Sequence, residues 1–238
     1  MGRYSLDEFA AKHADSRNVI IPHPIYQYTY KEDISVERAR QYLNLPQEAF
    51  IVTSFGKFRN REERRMVTGA FRKWDEARLY PFSRFNRYGS NFFKRWTSRA
   101  GYYLLIPLLN RLRRMHAGAS DEPIDNCDLP YYMAASDVIF IQRKDILNSA
   151  SIPLAFLFHK VVIGPNIGNI GEILQDTGNP VFHPDNKFDI IRALETARQL
   201  SARRKGEDNY AYAIENMNSG KIGKEYAELY RNLANLSL

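Results

Sequence analysis

The sequence predicts an α/β fold, a doubly wound parallel sheet with helices on both faces. Short apolar segments alternate with longer segments whose apolar residues recur at helical spacing. The segments at residues 49–56 and 161–164 are almost wholly apolar, as strands buried on both faces are. The connections between neighbouring segments are short, which favours right-handed crossovers within one sheet.

The predicted elements follow one another along the whole chain. They are a strand at 18–22, a helix at 36–45, a strand at 49–56, a helix at 62–74, a strand within 77–85, a mostly helical stretch at 91–115, a strand at 138–142, a helix at 152–158, a strand at 161–164, a helix from about 170, a helix at 187–202 and two helices within 209–236. Ser35 is a typical N-cap, and Pro46 ends the helix that Ser35 begins. Pro81 has no N–H for a sheet ladder, so its strand is expected at an edge.

Composition describes a folded chain without disulfides. The 238 residues are 44% hydrophobic and 13% aromatic, which excludes a disordered protein. Cys127 is the single cysteine, so we expect a reducing compartment, the cytoplasm. No segment reaches the roughly 20 apolar residues of a membrane span, and the polar start does not resemble a secretory signal. We expect one α/β domain at 18–205, followed by C-terminal helices at 206–238.

Two strand–loop–helix units are the most informative feature of the sequence. The loops after the strands at 138–142 and 161–164 carry small or polar residues. These are Asn148, Ser149, Ser151, Gly168 and Gly171. Such residues at a helix start leave N–H groups at the positive end of the helix dipole, an arrangement that binds phosphate. Since parallel strands end at one edge of the sheet, the pair of loops predicts a ligand with a diphosphate. The alternative is that one serine is an N-cap, and the two roles are compatible.

A basic stretch follows the strand at 49–56. Gly56 allows a turn, after which Lys57, Arg59 and Arg61 lie at the carboxyl end of the strand. Cations at that end would neutralise phosphates, and arginine suits bidentate contacts. The alternative is the solvated start of a charged helix, because two glutamates follow at once.

Three further side chains complete the candidate site. Glu172 lies in the first turn of a predicted helix, where it would accept hydrogen bonds from a ribose diol or simply favour the helix start. His23 stands between two prolines that restrict the backbone, and a structural role is its alternative to a place in the cleft. Gln142 ends the strand at 138–142 and is a substrate-binding candidate. The other histidines share no metal-ligand spacing, so no metal site is predicted.

The positive charge is concentrated in one part of the chain. The net charge is +7 with a pI of about 9.4, and between residues 72 and 114 only Asp75 and Glu76 oppose the basic side chains. Within 84–114, aromatic and basic residues interleave. This pattern is typical of a contact with an anionic membrane surface, of single-stranded nucleic-acid binding, or of a helix that packs its aromatics into the core. No nucleic-acid motif accompanies the charge, so we do not expect a nucleic-acid partner.

Together these residues resemble the C-terminal, nucleotide-sugar-binding half of the retaining glycosyltransferases with the GT-B fold, of the group 1 type. The resemblance runs from about residue 18 to 200. It rests on IPHPIY, SFGKFRNREERRMVTGAF, DLPYYMAASDVIFIQ and NSASIPLAFLFHKVVIGPNIGNIGEIL, in that order. It implies a Rossmann-like domain that binds a UDP- or GDP-linked sugar for retaining, metal-independent hexosyl transfer to a saccharide or lipid-linked acceptor, as in polysaccharide biosynthesis. No cofactor besides the donor is implied.

The resemblance also has departures. Lys57 matches the family's first basic residue facing the donor phosphates, whereas the later lysine falls at Glu62. The family's usual pair of glutamates falls at Ile146 and Leu154, so no catalytic residue is assigned and a degenerate, non-catalytic module stays open. The departure resembles a subset of the family with a Ser-x-Ser loop, in which serines replace the carboxylates near the phosphates. The chain has room for only the second GT-B domain, so we expect residues 1–17 to be the linker or tail of a missing N-terminal acceptor domain, and the chain alone to be an incomplete, inactive fragment.

Overall fold

The computed structural model describes residues 2–13, 19–25, 30, 33–55, 58–73, 78–82 and 124–235. Its helices and strands are, in chain order, α1 (Arg3–Ala10), α2 (Val36–Tyr42), β1 (Ile51–Phe55), α3 (Arg61–Lys73), β2 (Arg78–Phe82), α4 (Leu129–Ala135), β3 (Val138–Phe140), α5 (Ser151–Leu157), β4 (Val161–Pro165), α6 (Gly168–Asp176), β5 (Val181–Phe182), α7 (Lys187–Ala202), α8 (Lys205–Asn216) and α9 (Ser219–Asn235). The predicted helix at 91–115 lies outside the described residues.

All five described strands are parallel, in the spatial order β2-β1-β3-β4-β5. The chain runs outward from β1 to β2 and then returns across β1 to β3. The order therefore reverses between β1 and β3, where Val52 pairs with Val138. Open α/β sheets bind their ligands at the carboxyl ends of the strands beside such a reversal. The doubly wound parallel sheet that the sequence predicts is confirmed.

The edges of the sheet differ from the prediction in two places. Pro81 lies in the edge strand β2, as predicted, opposite Ser54 of β1. The prediction of a strand at 18–22 is wrong, because residues 19–22, the described part of this segment, form no strand. Prolines at 22 and 24 remove donors that a ladder needs, and the N–H of Ile25 instead donates to the Met217 carbonyl (2.8 Å). The opposite edge is β5, a strand of two residues that the sequence pattern did not reveal.

Helices cover both faces of the sheet. On one face, α3 and α7 pack over aromatic side chains, where the Phe140 ring stacks on Phe182 at 5.3 Å and meets the edge of Phe71 at 6.0 Å. On the other face, α5, α6 and α8 bury a second cluster that includes Phe156 and Leu174. Each buried side chain of this size contributes roughly 1.5–3 kcal/mol. The core therefore fixes the strand ends on which the candidate site stands.

Buried charges lie at the amino ends of the central strands, opposite the candidate site. The Arg40 guanidinium pairs with Asp137 at 2.8 Å, and Asp137 also accepts the N–H of Ile51 at 2.6 Å. Burial raises the pKa of the Asp137 carboxyl despite this pairing. The Lys160 ammonium donates to the Ala134 carbonyl at 3.0 Å, and burial lowers the pKa of Lys160 to about 8. These charges serve packing within the domain.

The helices at the chain ends pack onto the domain. The Tyr212 ring of α8 meets the edge of Phe156 in α5 at 6.3 Å, and the first turn of α1 rests on α6. The two predicted C-terminal helices are confirmed, and the break between them falls just before Ser219. Within the described part of the chain, no helix is both long enough and apolar enough to cross a membrane.

Candidate functional site

The loop that follows β1 is joined to the loop that follows β3. Gly56 and Lys57 lie outside the described residues. The Arg59 backbone N–H donates to Glu63 Oε2 at 2.7 Å, and its guanidinium donates to the Asp145 carbonyl at 2.9 Å. Arg61 opens α3 and is exposed. The contacts of Arg59 therefore place it across the reversal of strand order.

Two cations beside Arg59 were missed by sequence reasoning. Arg143 donates to Glu63 at 3.0 Å, an ion pair whose side chains are only 15% and 2% exposed. Lys144 bridges Glu62 at 3.1 Å and Asp185 at 2.7 Å, and its hydrogen bonds to Asp185 and Glu62 raise the pKa of the Lys144 ammonium. The signal was present in the sequence, because QRKD directly follows the apolar strand at the switch point.

Gln142 links the carboxyl ends of the two central strands. Its side chain is buried, and Nε2 donates to the Phe55 carbonyl at the end of β1 (2.7 Å). This hydrogen bond connects the carboxyl ends of β1 and β3, at the point where the strand order reverses. The structure thus gives Gln142 a structural contact, and substrate binding by its side chain stays a prediction.

The loop at residues 148–151 begins α5. Ser149 Oγ accepts the backbone N–H of Ser151 at 3.3 Å. The N-cap position of α5 is Ala150 and no side chain caps this helix, so the alternative that a serine is the N-cap is wrong. Ser149 and Ser151 are both half-buried, whereas Asn148 is exposed. Phosphate binding by this loop stays a prediction.

Gly168 allows the two predicted loops to meet. Its φ is +54°, a left-handed conformation that favours glycine. A Cβ at this position would lie 3.0 Å from the Ile146 carbonyl oxygen and 3.2 Å from Leu147 Cα. Gly171 is also tightly packed, since a Cβ there would lie 2.7 Å from Asn166 Oδ1. Both predicted glycines therefore permit close backbone packing around the start of α6.

Glu172 contacts α1 instead of pointing into open space. Its Oε1 accepts the backbone N–H of Arg3 at 3.0 Å and the Arg3 Nε at 2.7 Å, while Oε2 accepts the N–H of Tyr4 at 3.1 Å. The Arg3 guanidinium also pairs with Asp176 at 2.8 Å. Although partial burial opposes the charged form, hydrogen bonds from Arg3 and Tyr4 hold the pKa of the Glu172 carboxyl below its ordinary value. A ribose contact would have to share or replace these partners.

A cavity of about 480 Å³ brings four of the predicted residues together: His23, Asn148, Ser149 and Glu172 line its wall. Other lining residues include Asp176 and Tyr212. Burial raises the pKa of the Tyr212 hydroxyl, and the charges of Asp176 and Glu172 raise it further. Carboxylates, amides and hydroxyls beside apolar side chains suit a ligand rich in hydroxyl groups. Arg59, Gln142, Ser151, Gly168 and Gly171 do not line this cavity.

The described residues offer no evident metal ligands. Among them, no group of three or more His, Cys, Asp and Glu side chains is placed to hold an ion. Cys127 is exposed.

The basic aromatic segment at 84–114 lies outside the described residues.

Comparison with known proteins supports the fold. No protein-family model matches the sequence, and no curated protein matches it. Among solved structures, sucrose-phosphate synthase (tll1590) from Thermosynechococcus elongatus matches with a TM-score of 0.72 and 19% identity, over 98% of this chain and 57% of its own. Anabaena Alr3699/HepE in complex with UDP matches with a TM-score of 0.73 and 15% identity, over 96% of this chain and 62% of its own.

A third match decides which half of these proteins is present. It is the C-terminal domain of a glycosyl transferase group 1 family protein (LpcC) from Francisella tularensis, with a TM-score of 0.61 and 13% identity, over 81% of this chain and 98% of that domain. This chain has the fold of the C-terminal half of a GT-B glycosyltransferase. The predicted GT-B, Rossmann-like fold is therefore confirmed. The chain spans 57% and 62% of the first two structures, about six tenths of their length.

Two positions distinguish this GT-B half from the pattern that the sequence resembles. Ile146 and Leu154, which stand where that pattern has glutamates, pack against the core cluster beneath α5 and α6. Apolar side chains there supply neither a charge nor a hydrogen bond to a ligand. Any ligand contact at this end of the GT-B sheet must come from other groups.

Proposed function

We propose that this chain is the donor-binding half of a glycosyltransferase that binds a nucleotide diphosphate sugar. The observation that carries the proposal is the meeting of four independently predicted residues on one cavity of a GT-B domain. The Anabaena protein, which has the same fold, has been solved with UDP and with UDP-glucose. We extend the proposal to retaining, metal-independent hexosyl transfer, with a saccharide or lipid-linked acceptor held by an N-terminal domain.

Different residues would bind the phosphate groups and the hydroxyl groups of the donor. The diphosphate would lie against the loop at 148–151, with Arg59 supplying charge from the neighbouring loop. Hydroxyl groups of the donor would meet His23, Asn148 and Glu172 in the cavity. Charge that develops on the leaving diphosphate would be stabilised by Arg59 and by the N–H groups of the loop at 148–151. These donors are already in place before transfer, so they need no reorganisation during the reaction.

Calorimetry with UDP, GDP, ADP and uridine tests the proposal. A nucleoside diphosphate should bind more tightly than its nucleoside, because Arg59 and the loop act on the phosphates alone. Arg59→Ala should weaken UDP binding by roughly 10- to 100-fold, the equivalent of one lost charge-assisted hydrogen bond, and leave uridine binding unchanged. Arg192→Ala is the matched control, since it removes the same charge from an exposed site on α7.

Absence of binding for all the nucleotides at millimolar concentration would count against the proposal. Equal losses for UDP and uridine in Arg59→Ala would place Arg59 away from the phosphates. Metal independence is tested in the same titrations, because excess EDTA should leave the UDP affinity unchanged.

A second candidate is a non-catalytic interaction module that kept the fold and lost the site. The apolar packing of Ile146 and Leu154 favours it. The two candidates differ in their response to UDP. A functional site should raise the melting temperature, with about 2.7 kcal/mol of stabilisation at a hundredfold excess over Kd. The interaction module should show no rise.

We also propose, from charge alone, a cytoplasmic protein in peripheral contact with the inner face of the membrane through residues 84–114. Flotation with liposomes that contain acidic lipid should recover the protein at low salt. Recovery should fall steeply as salt rises, and equal recovery with neutral lipid would refute the contact.

A further inference from the structure

Side chains of α6 bind the first turn of α1. The backbone N–H groups of Arg3 and Tyr4 donate to Glu172 at 3.0 and 3.1 Å, and that of Ser5 donates to Asn169 Oδ1 at 3.0 Å. N–H groups in the first turn of a helix have no partner within that helix, and a carboxylate beside them complements the dipole. Thus α1 is docked end-on, through its backbone, onto two neighbouring turns of α6.

One of these two side chains also binds the loop at 148–151. Asn169 is 7% exposed. Its Nδ2 donates to Asn148 Oδ1 at 2.8 Å and to the Ser5 hydroxyl. Its backbone N–H donates to the Leu147 carbonyl at 3.1 Å. Both hydrogens of the amide are thereby used, one toward α1 and one toward the loop.

We propose that Asn169 is a positioning residue that couples the docking of α1 to the shape of the loop at 148–151. The inference rests on the proposed function, which assigns the donor phosphates to that loop. If α1 leaves, Asn169 Oδ1 and one Nδ2 hydrogen lose the partners that fix the orientation of the amide, which can then turn. A turned amide releases Asn148.

The packing of Gly168 confines the effect of Asn169 to residues 148–151. Gly168 lies close to the Ile146 carbonyl, so the backbone before the loop is held against the start of α6. The remaining freedom of the loop lies after Leu147, where Asn148 is fixed to α6 by the Asn169 amide. A change at Asn169 is therefore expected to move residues 148–151 more than residues 146–147.

Hydrogen exchange on the whole 238-residue chain tests the coupling without any ligand. In Asn169→Ala, the amides of Ser5 and Ser151, which the structure shows hydrogen-bonded, should both exchange faster. Asn169→Asp keeps the acceptor for Ser5 and loses both donors, so the loop amides should exchange faster while the α1 amides stay protected. Faster exchange in α1 alone, or in neither segment, would overturn the proposal.

Asn209→Ala is the matched structural control. Asn209 is fully buried and bonds Lys160 and Asn179, away from the loop. Its loss should lower the melting temperature while exchange at 148–151 stays as in the wild type. Equal loosening of the loop in Asn209→Ala would show that Asn169 acts only through general stability.

Titration with UDP and uridine then measures the consequence. Asn169→Ala should raise the Kd for UDP by roughly 3- to 10-fold, the equivalent of one lost hydrogen bond, and raise the Kd for uridine by a smaller factor. An unchanged Kd for UDP would refute the role in phosphate binding. If the wild type binds no UDP, the proposed function fails, and the exchange rates alone decide whether Asn169 couples the two segments.

Discussion

The half-buried Lys160 makes the stability of the domain depend on pH in the alkaline range. Its ammonium lies before β4 and donates to the Ala134 carbonyl at 3.0 Å, and the loss of hydration around it lowers its pKa from 10.5 to about 8. Below about pH 8 the folded and unfolded chains both carry this charge, and only the folded chain bears the cost of burying it.

The size of the effect follows from linkage. Between about 8 and 10.5 the folded chain has released the proton and the unfolded chain still holds it, so stability rises with pH across this window. The difference in pKa corresponds to about 3 kcal/mol. Lys160→Met removes the titration, and it should make the protein more stable near neutral pH while keeping the stem of the side chain packed.

Urea unfolding between about pH 7 and about pH 10 measures this effect. The wild type should gain up to about 3 kcal/mol relative to Lys160→Met over that range, at a constant m-value. Lys221→Met, at an exposed lysine of α9, is the control for the loss of a surface charge and should follow the wild type. Parallel pH curves for the wild type and Lys160→Met would refute the reasoning, because they would show that the buried ammonium does not titrate in this window.

Two further predictions concern the strand ends of the candidate site. Urea unfolding should show that Gly168→Ala lowers the free energy of unfolding more than Gly178→Ala does. Both glycines have positive φ, which costs roughly 1 kcal/mol for alanine. Of the two, only Gly168 would also place a Cβ against backbone, at 3.0 Å. Equal costs would show that the close approach relaxes freely. Glu63→Ala should cost about 3 kcal/mol, the low end for a broken buried pair, because it leaves the half-buried Arg143 without its carboxylate. The double variant Glu63→Ala with Arg143→Ala should lose less than the sum of the single variants, and additivity would contradict the pairing.

Local patterns in the sequence were sufficient for the elements that carry the site. The apolar runs that became β3 and β4 and the helical spacing of α7 are signals confined to one element, so they could be read without knowing the fold. The segment at 19–22 has the apolar run of a buried strand, but Ile21 is buried in the structure whereas Val19 is 58% exposed, so the run does not indicate a strand. The strand β5 has too few residues to show any period.

Contacts between distant parts of the chain could not be predicted in the same way. Arg3 and Glu172 are separated by 169 positions, and nothing in either local sequence indicates their pairing. The prediction that Glu172 lies in the first turn of its own helix is wrong, because α6 begins at Gly168 and has no acidic residue in its first turn. Its carboxylate instead accepts N–H groups in the first turn of α1, a different helix. Likewise, the contact of Arg59 with the Asp145 carbonyl depends on β1 and β3 being neighbours in space.

The ion pairs in the structure change the interpretation of the basic residues near the strand ends. In the sequence, the basic residues near the strand ends suggest an excess of positive charge. In the described cluster, Arg143 pairs with Glu63, and Lys144 pairs with both Glu62 and Asp185. Within these contacts three carboxylates match three cations, Arg59 included, so the described ion pairs themselves leave no excess positive charge for a diphosphate. In the proposed function, selectivity for phosphate then depends on how precisely the loop at 148–151 and Arg59 are held. On that proposal, a buried amide such as Asn169 should influence the site more than another surface lysine would.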